Sequence, residues 1–438
     1  MTTTTGPRLA PVDEANLVLD HAGQVNVFLV AGLLGTGGFV GDGVPDLTVL
    51  RTAVGERISA VPRLRRFAVR DGRRHRWAEA APDLDQHIRL VDAVAGRAGL
   101  ERLCGELMGV PLPQHRPLWE LLLVPGAGAV GVGMVLRVHH ALADGLGAVS
   151  IVQQLFDPDD GAATRTVPPP PAATAGGKPD LRGVLGRGAA GWRRIRMTLG
   201  GREVGPTMLL GERSPRRGVA FLDADLPALG AHARSVGATV NDALLSAAAS
   251  GYLAALAAAG EDVPDSLPVS VPVALQRRGP SGNHVGVMLV LLPLGEADPA
   301  DRLRLIAART RSEKVPARQQ GTLEFMRGPI GARILDRVGR SQHLVAGFVT
   351  DVPGPAGALR LAGAPVTALW PVGVLAANVR LGVAALSHDG PLRCSVHFDA
   401  AWVPGVPFSR GMGEELARLE GRPTAPGDRD RRLPPDHS

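Results

Sequence analysis

Apolar positions along this chain fall into runs of two kinds. Short, nearly continuous aliphatic stretches read as strands buried on both faces: Val25–Leu34, Val132–Val138, Leu267–Leu275, His284–Leu294, Gly382–Leu386 and Arg393–Phe398. Other stretches carry helical spacing. Val149–Phe156 (VSIVQQLF) predicts a helix that packs back on the strand before it. Gly237–Gly260 is rich in small apolar residues and predicts a buried helix, with Thr239 capping its first turn toward Asp242.

The same pattern divides the chain. Residues 1–157 form a first unit ending in the strand Val132–Val138 and its following helix. Residues 158–214 bury little: a Pro-, Gly- and Ala-loaded linker runs to Asp180, and a basic, partly helical crossover follows from Leu181 to Gly211. A second unit spans 215–425, opening near Arg217 with the apolar run VAFLDADL, and the charged, Pro-rich tail 426–438 is expected to be disordered. No run of membrane-spanning length is expected. The best candidate, Leu361–Leu386, is broken by Pro365, Pro371, Asn378 and Arg380, so any membrane or lipid association is expected to be peripheral. The N-terminus shows neither a basic n-region nor an apolar h-region, which fits a cytoplasmic protein.

Composition narrows the function classes. Aromatic residues make up 3% of the chain and Tyr252 is the sole tyrosine, which argues against base-stacking platforms and nucleic-acid partners. A net charge of +6 over 438 residues is a mild bias, able to help recruit anionic acyl carriers or membrane surfaces. The two cysteines, Cys104 and Cys394, offer no disulfide framework and suit a reducing compartment.

The densest chemistry lies in HHALADG, His139 to Gly145. The strand before it delivers His139 and His140 to a turn closed by Asp144 and Gly145. Neighbouring strand residues face opposite ways, so one histidine can face a channel while the other faces the interior. An imidazole near its ordinary pKa of ~6.5 can take a proton at working pH. A buried, hydrogen-bonded structural pair is the bland alternative. A metal site is disfavoured, because adjacent strand histidines diverge, HExxH is absent and the cysteines lack paired-ligand spacing.

Several motifs in one order carry a family resemblance. RPLWE (Arg116–Glu120) precedes HHALADG, and TVNDALL (Thr239–Leu245) follows it. PVSVPVAL with Gly282-Asn283, then VPGP (Val352–Pro355) and a final strand leading to Asp399, complete the series. The chain resembles the bacterial wax ester synthase/diacylglycerol acyltransferase family across nearly its whole length. HHxxxDG alone is shared with peptide-synthetase condensation domains and plant acyltransferases; RPLWE and TVND narrow the assignment.

The resemblance implies an α/β fold of two chloramphenicol acetyltransferase-like domains, each a mixed sheet with flanking helices, meeting along a central channel. It implies acyl-CoA as co-substrate, a hydroxyl acceptor (a long-chain alcohol, a diacylglycerol or both), and no metal or prosthetic group. His140, the second histidine, is the implied general base. Asn241 is the candidate for oxyanion or substrate positioning in a first helical turn, with ordinary cap chemistry as its alternative. His139, Asp144, Gly145 and Asp242 support the motifs, and Asp144 is expected to shape the loop. Pro117, Leu118 and Trp119 are expected to pack the edge of the histidine-bearing sheet.

Two departures stand out. Where family members carry an arginine after the PVS-type strand, this chain has Gln276, with Arg277 one residue later; that leaves the ionic partner of Asp144 open. The usual Ser-Asn before VPGP appears as Thr350-Asp351. With Asn283, these two are candidate substrate-binding positions, and a carboxylate there points to an acceptor other than a plain fatty alcohol. The competing readings are a specialised acyltransferase acting on a metabolite hydroxyl or amine, with CoA or a carrier protein as donor, and a non-catalytic lipid carrier.

Overall fold

The computed structural model describes residues 4–21, 23–128, 131–157, 203–274, 285–319, 328–355 and 357–422. The linker's interior, the tail beyond Arg422, and Gln276, Arg277 and Asn283 lie outside the described residues.

Two six-stranded sheets dominate. The first runs in the order Arg360–Leu361, Ala364–Val372, Val27–Leu34, Val132–His139, Trp119–Pro125, Ile88–Leu90. The second runs Arg217–Asp225, Pro391–Asp399, Leu381–Ser387, Gly347–Pro353, Leu267–Ala274, Val285–Leu292. Both are mixed, with parallel pairing of Ile88–Leu90 to Trp119–Pro125 in one, and of Gly347–Pro353 to both its neighbours in the other. Strands Val27–Leu34 and Val132–His139 are buried almost throughout, as their continuous aliphatic pattern requires of strands covered on both faces.

The sequence division at 215 does not follow the sheets at one place. Ala364–Val372 belongs to the second unit by position, yet it pairs antiparallel with Val27–Leu34 in the first sheet. Pro371, read from sequence as breaking a membrane-length run, is tolerated in the strand because past Pro365 it has a single ladder neighbour. Its outer edge is covered by alternate side chains of Pro391–Asp399. Arg393 donates to the Thr367 carbonyl (2.9 Å), Ser395 to that of Pro371, and His397 Nδ1 to that of Gly373 (2.8 Å). A shared apolar cluster adds to the seam, with Leu100, Cys104 and Met108 of the first half against Val219, Phe221 and Trp370.

Helix Val240–Ala259 is also long and apolar enough to cross a membrane, which the sequence reading missed by attending to Leu361–Leu386. It lies instead in the largest core, with Leu244, Leu245, Ala248 and Tyr252 fully buried among residues of the second sheet. Thr239 and Asp242 form its expected capping box, the Thr239 N–H and hydroxyl each donating to Asp242 at 2.8 Å.

Candidate active site

Two chain segments meet at the HHxxxDG turn, and the helix carrying Asn241 packs on the second of them. The first is the strand Val132–His139, which ends at His139 and leaves His140 in the turn. His139 is fully buried, whereas His140 keeps partial exposure. His139 Nδ1 accepts the Ala141 N–H at 3.0 Å, which leaves the ring proton on Nε2, 3.3 Å from the Asp20 carboxylate. Burial pushes the Asp20 carboxyl up, but His139, the Asn26 N–H and Gln114 together hold it below the usual carboxylate value. The backbone of His140 is clamped at both ends. Its N–H donates to the Asn26 carbonyl at 2.9 Å, and its carbonyl accepts from the Asn16 amide at 3.4 Å. Asn26 in turn donates to the Asn16 carbonyl at 2.7 Å, and the edge of Phe28 meets the His140 ring at 5.8 Å between centroids.

Asp144 caps the helix Gly145–Leu155, accepting the Gly147 N–H at 2.9 Å. The helix therefore begins four residues before the Val149 start expected from spacing, because the Asp-Gly pair opens it rather than closing a free turn. Gly145 itself is absent from the positive-φ glycines, so its need is for space. A Cβ at that position would lie 2.9 Å from Val352 Cγ2. That contact joins the turn to the second segment, the strand Gly347–Pro353, which carries Thr350 and Asp351.

Helix Val240–Ala259 packs against that second segment. A short connection leads from this helix into Leu267–Ala274, so it runs against that strand and against Gly347–Pro353, parallel to it. Tyr252, late in the helix, sits at the strand's start: a Cβ on Gly347 would fall 1.8 Å from its hydroxyl. Asn241 consequently lies toward the end of the sheet where Asp351 and Val352 are. Its carboxamide is half-buried and has no hydrogen-bond partner among the described residues. Asp242 is committed to structure, bound by Thr239 and, at 2.6 Å, by the Thr310 hydroxyl.

A family model, the wax ester synthase/diacylglycerol acyltransferase catalytic domain, matches residues 9–202, and the family's C-terminal domain matches 281–419. The chain belongs to this family. Among its relatives, Rv0221 of Mycobacterium tuberculosis, named as a candidate diacylglycerol O-acyltransferase, is 30% identical over 362 residues, covering 75% of this chain and 77% of its own. Rv2484c of the same organism, named likewise, is 28% identical over 440 residues, covering 90% and 88%. In fold, the chain is similar to the wax ester synthase/diacylglycerol acyltransferase of Marinobacter aquaeolei VT8 (TM-score 0.69, 19% identity, 94% of this chain and 100% of that one). It is also similar to the first condensation domain of the calcium-dependent antibiotic synthetase (TM-score 0.64, 17% identity, 96% and 97%). The two-domain chloramphenicol acetyltransferase-like fold and the assignment as an acyltransferase enzyme follow from these matches.

Within this member of the family, the PLWE box is packing. Trp119 is buried, stacks on His87 at 4.8 Å and donates to the Leu64 carbonyl at 2.7 Å, while Glu120 pairs with the buried Arg137. Both cysteines are free and fully buried, and burial pushes both thiols well above their usual pKa. The sequence reading missed Asn16, Asp20 and Asn26, which hold the two histidines. They lie in no motif, and only the closeness of Asn26 to the strand Val27–Leu34, whose Val27 pairs with His139, ties them to the site. Among the described residues no group of three His, Cys, Asp or Glu side chains converges as metal ligands do.

Proposed function

We propose that this family member transfers a fatty acyl group from acyl-CoA to the hydroxyl of a long-chain alcohol or diacylglycerol, with His140 as general base. The observation that carries the reading is the clamped, partly exposed His140 at the end of a buried strand, beside a fully buried His139. His140 takes the acceptor's hydroxyl proton as the oxygen attacks the thioester carbonyl, general-base help of about 100- to 10,000-fold. The tetrahedral oxyanion collapses, the C–S bond breaks, and the departing CoA thiolate takes the proton from the imidazolium. Asn241, in a first helical turn where N–H groups and the helix dipole favour negative charge, is the proposed stabiliser of that oxyanion. No acyl-enzyme is needed. Ser150 and the two buried, deprotonation-resistant cysteines have no role as nucleophiles. The reaction as written uses no metal or prosthetic group.

The names of the mycobacterial relatives and of the Marinobacter protein support lipid acceptors. A cytoplasmic location with peripheral attachment to a membrane or lipid droplet belongs to the same proposal. Ile334 and Val338, 60% and 54% exposed, lie one turn apart on helix Gly328–Gly339 beside the exposed Arg333 and Arg337, a surface suited to anionic lipid. Flotation with phosphatidylglycerol vesicles, lost in an Ile334→Glu/Val338→Glu double variant, would support this; flotation unchanged by the pair would refute it.

The deciding experiment measures release of CoA thiol from palmitoyl-CoA with hexadecanol, dipalmitoylglycerol or no acceptor. Acceptor-dependent release that falls about 100- to 10,000-fold in His140→Ala is expected. Release that survives the substitution would overturn the role of His140, and its absence with either lipid would overturn the lipid assignment.

A further inference from the structure

A cavity of about 270 Å³ lies at the seam of the two large sheets, between segment 358–367 and the turn that joins Leu381–Ser387 to Pro391–Asp399. Leu359 and Val366 give it an apolar side; Arg360, His388, Asp389 and Arg393 give it a polar one. The turn fixes the polar side. Asp389 and Gly390 both take positive φ, 48° and 98°, as a two-residue Asp-Gly hairpin requires, and the His388 N–H donates to the Pro391 carbonyl across it at 3.1 Å. His388 follows Leu386 by two residues and continues its face, about 7 Å along the strand. Leu386 is in register with Val352 on one side and Arg393 on the other, and it packs in the core of the first unit. The cavity therefore lies on the face of the second sheet where Val352 meets Gly145.

His388 is 2% exposed, and only one of its ring nitrogens is satisfied. Nδ1 lies 3.4 Å from the Pro355 carbonyl, which can only accept, so the ring proton sits on Nδ1. Burial pushes the imidazole below its ordinary pKa, which keeps Nε2 unprotonated, and Nε2 has no hydrogen-bond partner among the described residues. A buried acceptor left this way is costly unless a ligand brings a donor. The guanidiniums need the opposite. Arg360 commits Nη1 to the Gly363 carbonyl and Arg393 commits Nη2 to that of Thr367, each at 2.9 Å, and each keeps its other terminal nitrogen for an acceptor.

The fitting ligand thus brings acceptors for two arginines and one O–H for an imidazole, in a space below the ~300–1,000 Å³ of sites for whole drug-sized molecules. A carboxylate or a sulfate ester brings acceptors alone. A phosphate monoester, with a second pKa of about 6, carries the oxygens and the proton in one group. The Asp389 carboxylate at the exposed rim favours that singly protonated form over the dianion. We propose that this cavity binds a phosphate monoester, held by Arg360 and Arg393 with its P–O–H donating to His388 Nε2. Two sources offer this chemistry: the phosphate monoester on the ribose of CoA, and a separate phosphorylated metabolite.

Calorimetry at a pH of about 6 with methyl phosphate and methyl sulfate, alike in shape, tests the proposal on the wild-type protein. Methyl phosphate should bind about 10- to 100-fold tighter, the effect of leaving a buried acceptor unpaired. His388→Phe keeps the ring's place without its nitrogens and should bring the two esters within about twofold of each other. Arg360→Ala should weaken both by about tenfold. Equal binding of the two esters by wild type, which needs no variant, would overturn the proposal; so would binding of neither, or a preference for phosphate that survives His388→Phe. Adding CoA separates the sources. If the site holds CoA's own phosphate, CoA displaces methyl phosphate, and kcat/KM falls about 10- to 100-fold from palmitoyl-CoA to palmitoyl-dephospho-CoA. If it serves a separate ester, methyl phosphate binds with CoA present. The calorimetry does not depend on acyl transfer, so a failure of that reading leaves this one standing.

Discussion

Substituting Gly145 by alanine tests whether the motif turn and the second sheet are held in one geometry. The added Cβ would lie 2.9 Å from Val352 Cγ2, whereas carbon atoms rest at about 3.5–4.0 Å. Relief of about 0.6–1 Å is needed. Val352 cannot easily supply it, being β-branched and paired with Leu386 in a parallel ladder. The strand must therefore move away from the helix Gly145–Leu155, at a cost of about 1–3 kcal/mol in folding stability, the usual range for overpacking. Activity should suffer more. A displacement near 1 Å between groups that act together costs on the order of 100-fold. Urea unfolding and the CoA-release assay on Gly145→Ala, Val352→Ala and the double variant give a thermodynamic cycle for each quantity. Val352→Ala removes the clashing methyl groups, so the double variant should recover stability and most of the lost turnover. A Gly145→Ala enzyme with wild-type turnover would refute the reasoning, and so would a double variant no better than Gly145→Ala alone.

Acid stability should report on His397, which burial, with Arg217 and Arg213 close by, pushes down to about 3. The unfolded chain binds that proton below ~6.5 and the native one only near 3, so stability falls as pH drops through this window, by about 2 kcal/mol at pH 5. Chemical denaturation at pH 7 and pH 5 should show a shallower pH dependence in His397→Leu; an unchanged slope would contradict it. Thr239→Ala should cost about 1 kcal/mol through loss of the capping box, seen as a lower urea midpoint at unchanged m-value. Asp20→Asn should raise the activation free energy, read from kcat, by more than it lowers the unfolding free energy, read from urea melts, because it loosens His139 beneath the motif turn; equal changes in the two would make Asp20 merely structural.

Much of this site could be read from residues alone. Buried strands announce themselves through unbroken aliphatic runs, and Val132–His139 ended within a residue of the expected Val138. The capping box of Thr239 and Asp242 is a local pattern, and local patterns survive folding. What escaped depended on neighbours distant in sequence. Pro365 and Pro371 signalled interruption, yet they fit a strand whose outer edge is met by Arg393, Ser395 and His397. Asn16, Asp20 and Asn26 look like ordinary loop residues until the turn at His140 is laid against them. Asp351 was visible as a departure from the family's pattern, but the surroundings that push its carboxyl up to about 6 were not, since they depend on how the strand Gly347–Pro353 packs in its sheet.

The strand Ala364–Val372 has a consequence for how the protein is made. Val27–Leu34 can pair with Val132–His139 as soon as the first third of the chain has been synthesised, but its other edge waits for residues 364–372. At about 5–20 residues per second, the intervening stretch takes roughly 10–50 s to emerge from the ribosome. For that interval the nascent first sheet offers a bare aliphatic edge, the kind that recruits other chains. Catalytic competence arrives late, when the last portion of the chain comes back to close the first.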